Sequence, residues 1–212
     1  MGSLTCLTDP AALVVADASV IISLNATGCA PEIIRALPNR LVVVDVVPAE
    51  LDTGRPRGRQ DADRLNDLVA AGLLDITKLG DAAEQHFESL VVGPAAETLD
   101  DGEAATIAYA VAHGAVPLID ERKANRICAE RFASLRVGCT VDIFAHPSVL
   151  HAIGQEGLAD AVANALQVAR MRVLSHHVEW VVGIIGPERA ARCTSMARSL
   201  RQSEEKPRKS QT

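Results

Sequence analysis

Four carboxylates hold the chemistry open to this chain. Asp17 ends the apolar run Ala12-Leu13-Val14-Val15-Ala16. Glu50 follows a second run, Leu41-Val42-Val43-Val44, after a turn at Pro48. Glu103 lies in the opening Asp101-Gly102-Glu103 of a helix, and Asp120 ends Val116-Pro117-Leu118-Ile119. In an open α/β sheet, ligands bind outside the carboxyl ends of the strands, so acids at such places face one rim. Each close pair of ionised carboxylates repels by roughly 4 kcal/mol at ~4 Å and an effective dielectric of about 20. Either their pKa values rise or a hard divalent cation holds them. All-oxygen donors select Mg²⁺ or Mn²⁺ over Zn²⁺. Taken singly, each acid has a plainer reading: an Asp after a strand caps a helix, and acids in a first turn favour the helix dipole. The joint placement is what points to a metal.

The elements that must position these acids follow from hydrophobic patterning. The apolar runs at 12–16, 41–44 and 116–119 read as buried parallel strands, with an edge strand at 73–76 and a last short strand at 135–137. Helical segments alternate with them: 18–24, 32–37, 61–71, 82–90, a small-residue helix from Asp101, 122–132 and a helix opening at 141–144. This alternation predicts a three-layer α/β/α sandwich with a mostly parallel sheet. From Pro147 strand signals cease, and helices are expected at 155–172, 176–185 and 187–201. The domain reading is therefore a catalytic unit over 1–146, a helical extension packed on it over 147–201, and a polar tail over 202–212 without an apolar anchor.

The 212 residues are 48% hydrophobic and 23% charged, an ordinary globular balance. An aromatic share of 2% excludes a single-strand binder built on aromatic stacking. The net charge of −6 weighs against a nucleic-acid binder, but less so if the acids cluster at a cation. Five cysteines, an odd number without a CxxC pair, argue against a disulfide framework or a zinc site and fit free thiols in a reducing cytoplasm. No signal-peptide pattern opens the chain, and no apolar run approaches the ~18–20 residues that span a bilayer.

In order along the chain, VVADASVIISL, VVPAEL, DDGEAATIAYA, PLIDERKANRICAERF and VGCT resemble successive blocks of the PIN-domain nucleases, over about residues 12–145. The likeness is strongest to members with Gly-Glu-Ala in the third block and an acid pair before Arg-Lys-Ala in the fourth. The resemblance implies that Asp17, Glu50, Glu103 and Asp120 bind one or two Mg²⁺ or Mn²⁺ ions and cleave RNA phosphodiester bonds. It also implies an RNA substrate, a homo-oligomer and, since many bacterial members are toxins, an antitoxin partner. Asp120 is favoured over its neighbour Glu121 as the fourth acid because it ends the strand. Asn125 stands where this subgroup often carries a basic residue, and Cys139 interrupts the usual Gly-Thr pair before Thr140.

Accessory positions are Ser19, read as orienting Asp17, together with Asp101, Glu121 and Thr140. Asp142 reads either as a helix cap or as an outer ligand. Arg55, Arg57 and Arg59 follow Glu50, and Lys123 and Arg126 follow Asp120; each set reads either as solvated surface or as phosphate-positioning cations. Arg189, Arg192, Arg198 and Arg201, with Lys206, Arg208 and Lys209, give an acidic protein a basic end. His176, His177 and Trp180 read as interface or core residues. A non-catalytic PIN-like module binding RNA or protein is the alternative function. An aspartyl-nucleophile phosphatase is disfavoured because Ser19 stands where a second acid is needed. The absence of GxGxxG and P-loop patterns disfavours nucleotide chemistry.

Overall fold

The computed structural model describes residues 5–196. Four parallel strands form the sheet: β1 Val14–Ala16, β2 Leu41–Val44, β3 Asp75–Thr77 and β4 Val116–Leu118, in the order β3-β2-β1-β4. β1 lies between β2 and β4, with Val14 opposite both Leu41 and Val116 and Ala16 opposite Leu118. The carboxyl ends of β1 and β4 are thus level, and Asp17 and Asp120 leave the sheet side by side.

The helices are α1 Ala18–Ala26, α2 Ala30–Ala36, α3 Val46–Asp52, α4 Asp61–Ala70, α5 Asp81–Val91, α6 Asp101–His113, α7 Arg122–Arg131, α8 Thr140–Phe144, α9 Pro147–Gln167, α10 Val178–Ile185 and α11 Pro187–Arg192. Alternation along the strands sorts them into layers. Val14, Ala16, Leu41 and Val43 face a core shared with Ile21, Leu24 and Ile33 of α1 and α2 and with Leu158, Val162 and Leu166 of α9. Val15, Val42 and Val44 face Ala105, Tyr109 and Ala110 of α6. Alanines on α6 let the helix lie close to the sheet, and α5 and α7 complete that layer around Ile107, Leu90 and Ile127. This is the α/β/α sandwich with a parallel sheet and C-terminal helices.

Three expectations shift. The strand at 135–137 contracts to one parallel bridge between Gly138 and Leu118, closed by Gly138 N–H donating to Pro117 O and Ile119 N–H donating to Gly138 O. A Cβ on Gly138 would stand 2.6 Å from Cys6 Sγ and 2.8 Å from Leu118 Cδ2, so glycine is what lets the chain approach β4 there. The helix expected from Gln155 instead begins at Pro147, with a break at Gly154 (φ 70°), and ends at Gln167. The helix expected over 187–201 is interrupted at Cys193, which turns extended after α11 ends at Arg192, and residues 194–196 are helical again. Arg198, Arg201, Lys206, Arg208, Lys209 and the tail 202–212 lie outside the described residues.

Candidate active site

Asp17 is both helix cap and rim acid. Its Oδ2 accepts from Ser19 N–H (3.4 Å) and Ser19 Oγ–H (2.8 Å), leaving Oδ1 toward α6. Asp120 caps nothing. It is 3% exposed, and its two oxygens accept from Thr140 N–H (2.8 Å) and Thr140 Oγ1–H (2.7 Å) at the start of α8. Glu50 comes from the second turn of α3, and Glu103 from the first turn of α6, which Asp100 caps by accepting Glu103 N–H at 2.9 Å. The close approach of α3 and α6 is made at Gly102: a Cβ there would overlap Glu50 Oε2 and lie 3.5 Å from Asp17 Oδ1.

Electrostatics ties these groups together. Burial pushes Glu103 up to about 8, with Asp100 and Asp17 adding to the rise and Lys123 opposing it. Burial pushes Glu50 up to about 7, again with Asp17, Asp100 and Asp101 contributing. Asp120 rises to about 6 through burial, held back by the two Thr140 bonds and pushed further by Asp17. Asp17 itself is raised by burial, against the pull of Ser19. Asp17 is the common member: its charge acts on each of the other three. The four carboxyls thus share one field, and burial, together with the charge of Asp17 on the other three, raises them above their ordinary values. Their hard oxygen donors, short of positive charge, fit a hard divalent cation.

The accessory residues divide. Ser19 and Thr140 touch rim acids directly. Asp101 bears on Glu50 through space, and Glu121 on Glu103. Glu121 is also ion-paired to Arg172, which sequence reasoning missed. The segment carrying Arg172 turns through Arg170 at φ 55° and borders a cleft of about 210 Å³ shared with Ser19, Arg59, Asp120 and Glu121. Asp142 caps α8, and its charge also pushes Asp120 up. Its carboxylate accepts from Cys139 N–H (2.9 Å) and Cys6 N–H (2.7 Å), so the cap reading holds.

Among the expected cations, Arg59 lines the cleft. Arg55 is paired with Asp52 and Asp63. Lys123 donates to Ala95 O at 2.7 Å, and Arg126 to Glu130 and Ala96 O. Arg57 lies on an exposed turn. Asn125 donates to Ile119 O and Glu121 O at 2.9 Å each, pinning the backbone that carries Asp120. Asp100, bearing on Asp17, Glu50 and Glu103, was the acid overlooked in the sequence. Its position one residue before Asp101-Gly102-Glu103, as a cap for α6, was the available signal.

A family model described as a PIN domain matches residues 13–181. The chain belongs to the PIN-domain family. The match takes in all four rim acids and continues past Pro147 through α9 into the first turn of α10, short of α11. PIN domains are typically nucleases that use a divalent metal. No curated protein and no solved structure matches the chain. Among the described residues of this PIN domain, no helix is long and apolar enough to cross a membrane.

Proposed function

We propose that this PIN domain is a Mg²⁺- or Mn²⁺-dependent endoribonuclease of the cytoplasm in which Asp17, Glu50, Glu103 and Asp120 hold the metal. The observation that carries this reading is the shared field at the rim: Asp17 raises the pKa of the other three acids, and all four sit where two strands end and α3 meets α6. A cation bound there supplies Lewis acidity, lowering the pKa of a bound water and stabilising negative charge on phosphoryl oxygens. The chain's own residues do the rest. Ser19 fixes one oxygen of Asp17 and leaves the other facing the rim. Thr140 orients both oxygens of Asp120. Gly102 leaves room beside α6 for the Glu50 carboxylate, close to Asp17 Oδ1. Arg59, on the cleft beside Asp120, is placed to meet a phosphate of bound RNA. No Ser-His-Asp arrangement is required, because the water is the nucleophile.

The test is cleavage of single-stranded RNA by the full chain with Mg²⁺ or Mn²⁺, compared with Asp17→Asn. The variant is expected to fall to background while remaining folded; undiminished cleavage would overturn the assignment. Mn²⁺ binding without cleavage of RNA or single-stranded DNA would instead make the chain a binding module. A toxin role with an antitoxin, and assembly into a homo-oligomer, extend the same reading. They are tested by co-purification with the product of any small adjoining gene and by molar mass in solution.

A further inference from the structure

Behind Asp120, three buried side chains from different parts of the chain meet: Cys139 at the cap of α8, Asp142 in its first turn, and His177 just before α10. One donor atom from each lies within 4.8 Å of the others, and among the described residues this is the trio of metal-ligating type that comes so close. The rim acids are more widely spaced. Cys139 Sγ is 3.2 Å from Asp142 Oδ2, and His177 Nε2 is 3.5 Å from the same oxygen. A tetrahedral zinc with bonds of about 2.0–2.1 Å to N and O and about 2.3 Å to S sets its donors roughly 3.3–3.6 Å apart. Both spacings are close to that range.

Charge and chemistry agree with the spacing. A thiolate, a carboxylate and a neutral imidazole around a divalent cation sum to zero, the state a buried cluster tolerates. Sulfur and imidazole nitrogen select a zinc-class ion over Mg²⁺. The Cys6 side chain faces the same carboxylate from the N-terminal segment, and Gly138 leaves it the room it needs. His177 Nδ1 is buried and finds no hydrogen-bond partner among the described residues, while Nε2 faces Asp142 and the ring packs on that of His176, centroids 4.1 Å apart.

We propose that Cys139, Asp142 and His177 form a structural site for a zinc-class divalent cation, separate from the acid rim, with Cys6 hydrogen-bonded to the same carboxylate from outside the ligand set. Such a site pins the first turn of α8, and Thr140 in that turn donates both bonds to Asp120. The sequence argues against zinc only because its donors are scattered over more than 170 positions without a CxxC pair.

The test uses the full, untagged, reduced chain. After dialysis against a weak chelator, mass spectrometry of the metal content should find about one zinc per chain. Asp17→Asn should keep it, while Cys139→Ser and His177→Gln should lose it. Cobalt substitution should give a thiolate-to-cobalt charge-transfer band that Cys139→Ser abolishes. If either variant fails to fold, the wild-type cobalt spectrum decides, since a rim of carboxylates alone gives no thiolate band. Wild-type protein that retains no zinc and melts identically with added zinc or a strong chelator would reduce the cluster to a hydrogen-bonded hub. Zinc lost with Asp17→Asn but kept with Cys139→Ser would move it to the rim. Either result overturns the proposal, and none of these readouts depends on RNA cleavage.

Discussion

Replacing Glu103 by Gln should stabilise the metal-free protein at alkaline pH. Glu103 is buried at the start of α6, and its carboxyl is raised from an ordinary 4.5 to about 8 by burial, Asp100 and Asp17. The sign follows from linkage. The folded state binds the proton more tightly than the unfolded chain, so the destabilisation is absent below about pH 4.5. It grows as the pH rises and is complete above about pH 8. At 1.36 kcal/mol per pH unit, the full rise corresponds to roughly 5 kcal/mol. The group borders an open rim where solvent and ions screen it, so about 2 kcal/mol is expected to survive. For a chain of this size that is a melting-temperature difference of about 4–8 °C. Thermal melts of wild type and Glu103→Gln in chelator should converge near pH 5 and separate at pH 8.5, with the variant higher. Added Mn²⁺ should then raise the wild type more than the variant. Parallel curves between the two pH values, or a wild type that melts higher at pH 8.5 in chelator, would refute the reasoning that the rim acids repel one another.

Thr140→Val removes the hydroxyl bond to Asp120, a charge-assisted contact of about 1.5–3 kcal/mol. Since Thr140 holds the Asp120 pKa down, the alkaline rise of metal-dependent cleavage should move up by about one pH unit or more, read from a pH–rate profile. Gly102→Ala should leave the melting temperature unchanged or slightly higher, because alanine favours a helix. It should cut cleavage about 100-fold, because the Glu50 carboxylate must swing away and a displacement of ~1 Å is costly in a positioned site. Gly138→Ala forces a Cβ against Cys6 Sγ and Leu118 Cδ2 and should cost about 1–3 kcal/mol, visible as a lower urea midpoint.

β1, β2 and β4 were legible because they are mostly apolar runs, and parallel strands buried on both faces leave that mark, whereas β3 is an edge strand with Asp75 and Ile76 exposed. Asp17 and Asp120 were legible for the same reason: each ends such a run. Glu50 and Glu103 were placed by their position after β2 and before β4, and the block order that the chain shares with PIN domains singled them out, since an acid one or two turns into a helix has no periodicity of its own. What escaped were the contacts that depend on tertiary packing. Lys123 and Arg126 stand in a cationic pattern, yet they reach the carbonyls of Ala95 and Ala96. The pairing of Arg172 with Glu121, and of His177 with Asp142, joins residues 51 and 35 positions apart across loops. The strand at 135–137 failed because Leu135 and Val137 flank a charged Arg136, and the chain meets β4 only at Gly138, where glycine permits contact.

The order β3-β2-β1-β4 places β1 inside the sheet, and the last strand of the sheet begins at Val116. Asp120 is made more than a hundred residues after its neighbour Asp17, and Thr140, which orients Asp120, later still. The four acids can therefore come together only once β4 and the first turn of α8 have been made. A product truncated before β4 leaves β1 as a sheet edge and lacks Asp120 altogether.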